Sequence, residues 1–493
     1  MSGELVSPKE VDYLKLTGYW ILASLIFRTL LAWFMPLGTD EAYALAVGRS
    51  FSVSFFDHPP IGFWSPAIME YLLNSNELSL RLPNLIIGSL AQLIIFRIGT
   101  LIGGVKVGYY SVVVTVLSPL TYLGGLLIIP DTFLYFGLLL AFLLLQKLID
   151  NPEAPLYVWV FGGCAFAMAL ASKYQAGLVV LSVLIWLLFS SEYRVWFSKF
   201  SFWLAVSVAF LGLLPMLFWN MENEWASLQF HSSRAGSGIN LNNFATMLVA
   251  QGFYLYPVFL WYGVKSFFQK GFWLDNKSRL LLIGALTPIV FFNVIYSFSS
   301  ASLPHWTMPG WLLLIPLISV FISQLDPKVF KAVILVPSMI IHALVLLFVI
   351  HLQTGLLTSN LEESPAWDNT VPLIPSSSLT KEFEEFKVSL GGKVIVAENW
   401  MEAGRLAHLF GPSFSIYVIG EKKNHFRYLQ SQDSLDDVYF IKITQLNDYV
   451  GDYENAIKLA KKFDSSAFLK KKLILKRGAR DYFRLFVIKM NLP

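Results

Sequence analysis

The chain has 493 residues, of which 55% are hydrophobic, 16% aromatic and 14% charged, with a net charge of +4 and a mean hydropathy of +0.58. Soluble globular proteins carry roughly 25% charged residues, so these values exclude a disordered chain, a coiled coil and an ordinary cytosolic enzyme, and the small positive charge gives no sign of a nucleic-acid partner. They point to a multi-spanning membrane protein.

The charge is unevenly placed. Residues 353–493 hold 19 of the 37 Lys+Arg and 17 of the 33 Asp+Glu. That stretch is about 26% charged, as a water-soluble domain is, and residues 1–352 are about 10% charged, as a bundle in lipid is. Two domains are expected, a transmembrane one at 1–352 and a soluble one at 353–493. The single cysteine, Cys164, excludes an internal disulfide and a thiolate metal site. The first residues, MSGELVSPKEVDYLK, carry acids and do not read as a cleaved signal peptide, so the first apolar run is expected to stay in the membrane.

A span needs about 20 apolar residues. Eleven are read in chain order: 18–36, 82–101, 107–129, 132–149, 157–171, 176–190, 200–219, 246–265, 280–298, 306–323 and 332–352. Cytoplasmic loops collect Lys and Arg. With the N-terminus inside, the inner segments hold 13 basic residues, among them Lys9, Arg97, Lys106 and Lys199, and the outer segments hold four, Arg49, Arg81, Lys173 and Arg234. An odd number of spans then puts the C-terminal domain outside. Two outer loops are long, 37–81 and 220–245, and the first is expected to form short interfacial helices with Trp64 dipping into lipid. In the C-terminal domain, 393–398, 414–419, 437–443, 472–476 and 482–490 read as strands and 401–410 and 452–461 as helices, which makes a small α/β domain without a Gly-rich phosphate loop.

Chemistry is expected on the elaborated outer side. The pair Asp40-Glu41 follows the first span; it is either a functional carboxylate site at the membrane surface or a capping pair for the next helix. His58 precedes Pro59-Pro60, which fix the backbone around it. Asp131 is either an N-cap or a second carboxylate facing Asp40. Lys173 either snorkels to the interface or binds a phosphate as a flexible point cation. Arg234 lies in the second long loop, and His305-Trp306 open the tenth span, where Trp306 also fits an aromatic belt. Arg28, inside the first span, is expected to pair within the bundle. A carboxylate can take a proton from an acceptor hydroxyl and cations can stabilise a leaving phosphate, which suits sugar transfer from a lipid-linked phosphate.

Several motifs then occur in order: Gly38-Thr-Asp40-Glu41-Ala-Tyr43, Phe56-Asp57-His58-Pro59-Pro60, Leu80-Arg81-Leu-Pro83, Pro130-Asp131, Ser172-Lys173-Tyr174, Trp219-Asn220 with Glu224-Trp225-Ala-Ser227, and Pro304-His305-Trp306. Over residues 20–350 the sequence resembles the polyprenyl-phosphate-sugar-dependent glycosyltransferases of the GT-C fold, the protein O-mannosyltransferases and lipid A aminoarabinose transferases (glycosyltransferase families 39 and 83). The resemblance implies a multi-spanning α-helical GT-C bundle with a C-terminal α/β domain in the cell's inner membrane, and an inverting transfer at its outer face from a polyprenyl-phosphate sugar to a lipid, glycan or protein acceptor. It implies Asp40 as the base, Glu41 and Asp131 as supporting acids, and His58, Tyr43, Lys173, Arg234, Asn220, His305 and Trp306 as substrate contacts. Some relatives use a divalent metal, for which Asp40 and Asp131 are the candidate ligands. A transporter or flippase of a lipid-linked sugar is the alternative; it predicts internal repeats and broken helices in matching halves, and no repeat is evident.

Overall fold

The computed structural model describes residues 8–73, 76–233, 240–298, 303–358, 370, 373–420, 423–429, 435–445 and 449–492. The chain divides into two compact units. One is built from the chain up to Thr29 with Val53–Gly62 and Pro83–Ile341; the other from Leu30–Ser52, Phe63–Leu82 and the chain from His342.

The first unit is a helical bundle. Among the described residues six helices are long and apolar enough to cross a membrane: Lys9–Phe34, Glu77–Leu117, Asp131–Asp150, Asn276–Tyr296, Pro304–Ile322 and Pro327–Thr354, or eight if two bent pairs each count as one. Leu156–Leu170 and Ala176–Phe189 are shorter apolar helices. The eleven expected spans are therefore distributed differently, and Gly and Pro are the reason. The second and third form one helical run that turns back at Gly103-Gly104, where Gly104 takes φ 80°. The legs pack at Gly99 and Gly108, where a Cβ on Gly99 would come within 2.9 Å of the Gly108 Cα. The third ends at Leu117 and not near residue 129, because Pro119 and then Gly124-Gly125 interrupt it. The eighth is broken in the middle: Leu241–Leu255 and Pro257–Phe268 meet at 105°, as in a broken span or a re-entrant loop. Pro257 has no N–H to continue the helix, and Tyr256 before it takes φ 76°.

The bundle core is apolar, with Leu138, Phe142, Leu281, Leu313 and Ile318 fully or nearly fully buried. Small residues let backbones approach: a Cβ on Gly137 would lie 2.7 Å from the Ala165 carbonyl oxygen and 2.9 Å from the Ala169 nitrogen. Leu22, Ile26 and Met339 stand exposed, as lipid-facing positions should. Arg28 does pair inside this bundle. Its guanidinium donates to the carbonyl of Gly125 (2.7 Å), to Ser89 Oγ (2.9 Å) and to the carbonyl of Ser24 (3.3 Å), so backbone oxygens offset its burial.

The second unit carries a five-stranded sheet in the order β2-β1-β3-β5-β4: β1 (Ile395–Ala397), β2 (Ile416–Val418), β3 (Leu435–Gln445), β4 (Phe468–Arg477) and β5 (Arg480–Leu492). β1 runs parallel to both neighbours, while β3, β5 and β4 are antiparallel. Helix Trp400–Phe410 makes the crossover from β1 to β2. Val396, Phe440, Phe486 and Ile488 bury one face under Ala456 and Ala460 of helix Tyr449–Lys461. A further helix, Lys381–Leu390, was not expected from the sequence. Thr380 caps it, Phe383, Phe386 and Leu390 bury one stripe, and Gly391 ends it at φ 60°.

Candidate active site

The first long loop supplies helix Thr39–Gly48 to the second unit. Its N-terminus is a locked junction. The Glu41 carboxylate accepts from the Gly38 N–H (2.8 Å), the half of a capping box that a glycine N-cap permits. It also takes a bidentate pair from Arg81, Nε to Oε1 at 2.8 Å and Nη2 to Oε2 at 2.6 Å. Arg81 spends its other donors on the carbonyls of Ala32 (3.1 Å), Met35 (2.5 Å) and Pro36 (3.0 Å). Both side chains are buried. Every donor of the fork thus faces an acceptor, the condition under which a buried pair is tolerated. The preceding residue, Asp40, is exposed. Of the two readings left open for Asp40-Glu41, the capping one belongs to Glu41.

The same helix is held from the other side. Tyr43 is buried, its ring edge-on to Phe63 and Trp400 and near Phe426, and its hydroxyl accepts from the His425 N–H (3.1 Å). Gly404 sits against it: a Cβ there would lie 2.7 Å from the Tyr43 nitrogen. Arg49 at the end of the helix pairs with Glu70 (2.7 Å) and donates to the Ala407 carbonyl (2.9 Å). Helix Trp400–Phe410 is therefore the bed on which Thr39–Gly48 lies. Tyr43, expected as a substrate contact, faces the interior, and its hydroxyl joins the loop helix to the His425 turn. Trp64, expected in lipid, donates its indole N–H to the Ser52 carbonyl (2.9 Å) and is half-buried.

Within this unit, outside the spans, Glu402 is buried beside Lys442 (2.9 Å). Burial pushes its carboxyl up although Lys442 opposes the shift. Burial also takes the His425 imidazole down to about 3.

The bundle holds a second cluster. Asp131 is the first residue of helix Asp131–Asp150, after Pro130. It does not act as the N-cap: its carboxylate accepts from Lys173 Nζ (2.6 Å) and from the Tyr135 hydroxyl (3.2 Å). Lys173 lies in the turn between helices Leu156–Leu170 and Ala176–Phe189; it is buried and does not snorkel. His58 and His305 lie within electrostatic reach of the same carboxylate. Four of the expected residues, Asp131, Lys173, His58 and His305, thus gather in one place.

Beside them is a group that the sequence reading passed over. His231 lies edge-on to Tyr174 at 4.8 Å and 6.3 Å from the His58 ring, and its Nε2 is 2.9 Å from the Asp57 carbonyl. The Tyr174 hydroxyl and Ser227 Oγ are 2.5 Å apart. Asn220, expected as a substrate contact, is buried; its amide oxygen accepts from the N–H groups of Ser227 (3.2 Å) and Leu228 (3.4 Å). It ties down a turn in which Glu224 and Trp225 both take left-handed φ, 53° and 58°, a cost that its surroundings must offset. The only sequence signal for His231 was its place in the second long loop. Trp306 packs on Phe292 and Tyr296. Arg234 lies outside the described residues.

The divalent-metal expectation finds no cage. Among the described residues no three His, Cys, Asp or Glu side chains converge as metal ligands. Asp131 already carries a Lys173 counter-ion, and Asp40 and Asp131 belong to different units.

Residues 57–219, about a third of the chain, match the family model of the dolichyl-phosphate-mannose-protein mannosyltransferases. Among solved structures, the chain is similar to ArnT from Cupriavidus metallidurans bound to undecaprenyl phosphate, with 13% identity, a TM-score of 0.59, and coverage of 95% of this chain and 97% of that one. The apo state of the same protein gives 14% identity, a TM-score of 0.60 and the same coverage. At such identity the likeness shows the fold, a multi-pass GT-C bundle with a C-terminal α/β part. No curated protein matches the sequence.

Proposed function

We propose that the chain, a GT-C fold membrane protein that resembles the polyprenyl-phosphate-sugar-dependent glycosyltransferases, is an inverting glycosyltransferase. It moves a sugar from a polyprenyl-phosphate donor to a hydroxyl or phosphate of a lipid A, glycan or protein acceptor, at the outer face of the inner membrane, with the N-terminus inside and residues 353–493 outside. The observation that carries this reading is the division of labour in the Asp40-Glu41 pair. Glu41 is spent on Arg81 and Gly38, while Asp40 stands exposed on the first turn of a helix held by those bonds. A base needs that combination of exposure and fixed position.

In this reading Asp40 takes the acceptor's proton. The acceptor oxygen forms a bond to the anomeric carbon as the bond from that carbon to the phosphate oxygen breaks, and polyprenyl phosphate leaves with the electron pair. Within its own unit, the bundle cluster has the chemistry of a phosphate-binding group. Lys173 has three donors, one of them bonded to Asp131, and His58, His231 and His305 add imidazoles around it. Asp131 fixes the Lys173 ammonium in place.

The test is Asp40→Asn, assayed with a polyprenyl-phosphate sugar and membrane acceptors. A fall in turnover of about 10²–10⁴-fold is expected for loss of a general base, with the melting profile unchanged because the side chain is exposed. Normal turnover by the variant sinks the assignment.

A further inference from the structure

A groove of about 360 Å³ opens along the first unit between helices Lys9–Phe34 and Glu77–Leu117, away from the residues discussed so far. Leu14, Gly18 and Ile21 line one wall, Leu93 and Ile94 the other, and Arg97 is part of the lining. Gly18 faces open space in this wall: a Cβ there would meet nothing within 4 Å. The first helix is tied to the next leg of the bundle at one ring, with Trp20 donating to the Tyr109 hydroxyl (3.2 Å) and Tyr13 tilted against the same ring at 5.3 Å.

Its chemistry is that of one amphipathic molecule. The walls are aliphatic, and the one formal charge in the lining is an exposed arginine. Arg97 lies 16 residues beyond Arg81 in the same helix, about 24 Å at 1.5 Å per residue, so it emerges toward the opposite membrane face from the first long loop. Lys106 follows just beyond the turn at Gly103-Gly104 and is also exposed. Basic pockets between helices at a membrane surface favour anionic head groups, and an apolar cleft beside one takes an acyl chain.

We propose that this groove is a binding site for one anionic phospholipid of the surrounding leaflet, its acyl chain along Gly18 and its phosphate on Arg97. The inference does not depend on the transfer reaction.

The test is native mass spectrometry of the full chain exchanged into mixtures of phosphatidylglycerol and phosphatidylcholine, with the purified wild type, Gly18→Leu and Arg97→Gln. The wild type is expected to retain one phosphatidylglycerol in preference. Arg97→Gln should lower that preference about fivefold, the effect of one basic residue at an anionic surface, while Gly18→Leu, which puts a branched side chain into the open space of the groove, should lose the retained lipid of either class and keep the wild-type melting temperature. Retention unchanged in Gly18→Leu, or selectivity unchanged in Arg97→Gln, overturns the proposal. So does recovery of a co-purifying polyprenyl phosphate from the groove in place of phospholipid, judged by its loss in Gly18→Leu.

Discussion

The Glu41–Arg81 pair offers the sharpest quantitative test, because its environment is fully specified. Replacing Arg81 by Met keeps much of the side-chain volume but removes the bidentate pair and the three bonds to the Ala32, Met35 and Pro36 carbonyls. Glu41 then stays buried and charged without its guanidinium counter-ion, while the Gly38 N–H still reaches it. Breaking a buried pair from one side costs about 3–5 kcal/mol. For a unit of this size that corresponds to a fall in Tm of roughly 6–20 °C, at 2–4 °C per kcal/mol. The assay is thermal unfolding of the purified protein in detergent, followed by tryptophan fluorescence. The double variant Glu41→Gln/Arg81→Met should recover part of the loss, because no buried charge is then orphaned. A single variant melting within about 2 °C of the wild type would refute the reasoning. So would a double variant whose loss is the plain sum of the two single losses.

Three other outcomes are expected. Asp131→Asn orphans the buried Lys173 ammonium, and should cost about 3–5 kcal/mol in the same melting assay, with part recovered by adding Lys173→Gln; equal stability of Asp131→Asn and the wild type would show that the pair is not buried as described. Gly404→Leu forces a side chain against the backbone of Tyr43 and should destabilise by about 1–3 kcal/mol, read as faster proteolysis within residues 39–48; wild-type resistance would argue against that bed. Burial holds His425 at about 3 against an ordinary value near 6.5. A depressed histidine means that the unfolded chain binds the proton first, so stability is full above pH 6.5 and falls toward pH 3 by up to about 1.4 kcal/mol per pH unit. His425→Gln should flatten that slope between pH 6.5 and 3, and an identical slope would place the acid sensitivity elsewhere.

Much of the fold was legible because it rests on local patterns. All five strands of the α/β part, and the helices at 401–410 and 452–461, were read from short apolar runs, alternation and periodicity; β1 is buried on both faces, and the helices bury one face each. Helix Lys381–Leu390 was missed although its stripe at Phe383, Phe386 and Leu390 and its flanking Thr380 and Gly391 were present in the sequence. The break in the eighth expected span escaped notice for the opposite reason. Hydropathy runs on unbroken through Tyr256-Pro257, but the missing N–H turns the backbone through 105°. At the site, residue types drew attention to Asp131 and Lys173 and left their roles open; only tertiary structure pairs residues 42 positions apart. His231 carried no local signal, because what makes it notable is its distance to Tyr174 and His58.

The bond between Tyr43 and His425 joins residues 382 positions apart in the chain. At about 5–20 residues per second of synthesis, helix Thr39–Gly48 waits roughly 20–75 s between its own emergence and that of the turn that completes its packing. Throughout that interval its buried face, including Tyr43 and Ala42, has no partner from the C-terminal part. The nascent chain in this window is where a chaperone or quality-control protease would find a substrate. A premature stop anywhere before residue 400 would leave the Asp40 helix permanently in that state, so a lesion near the end of the gene should be read out at its beginning.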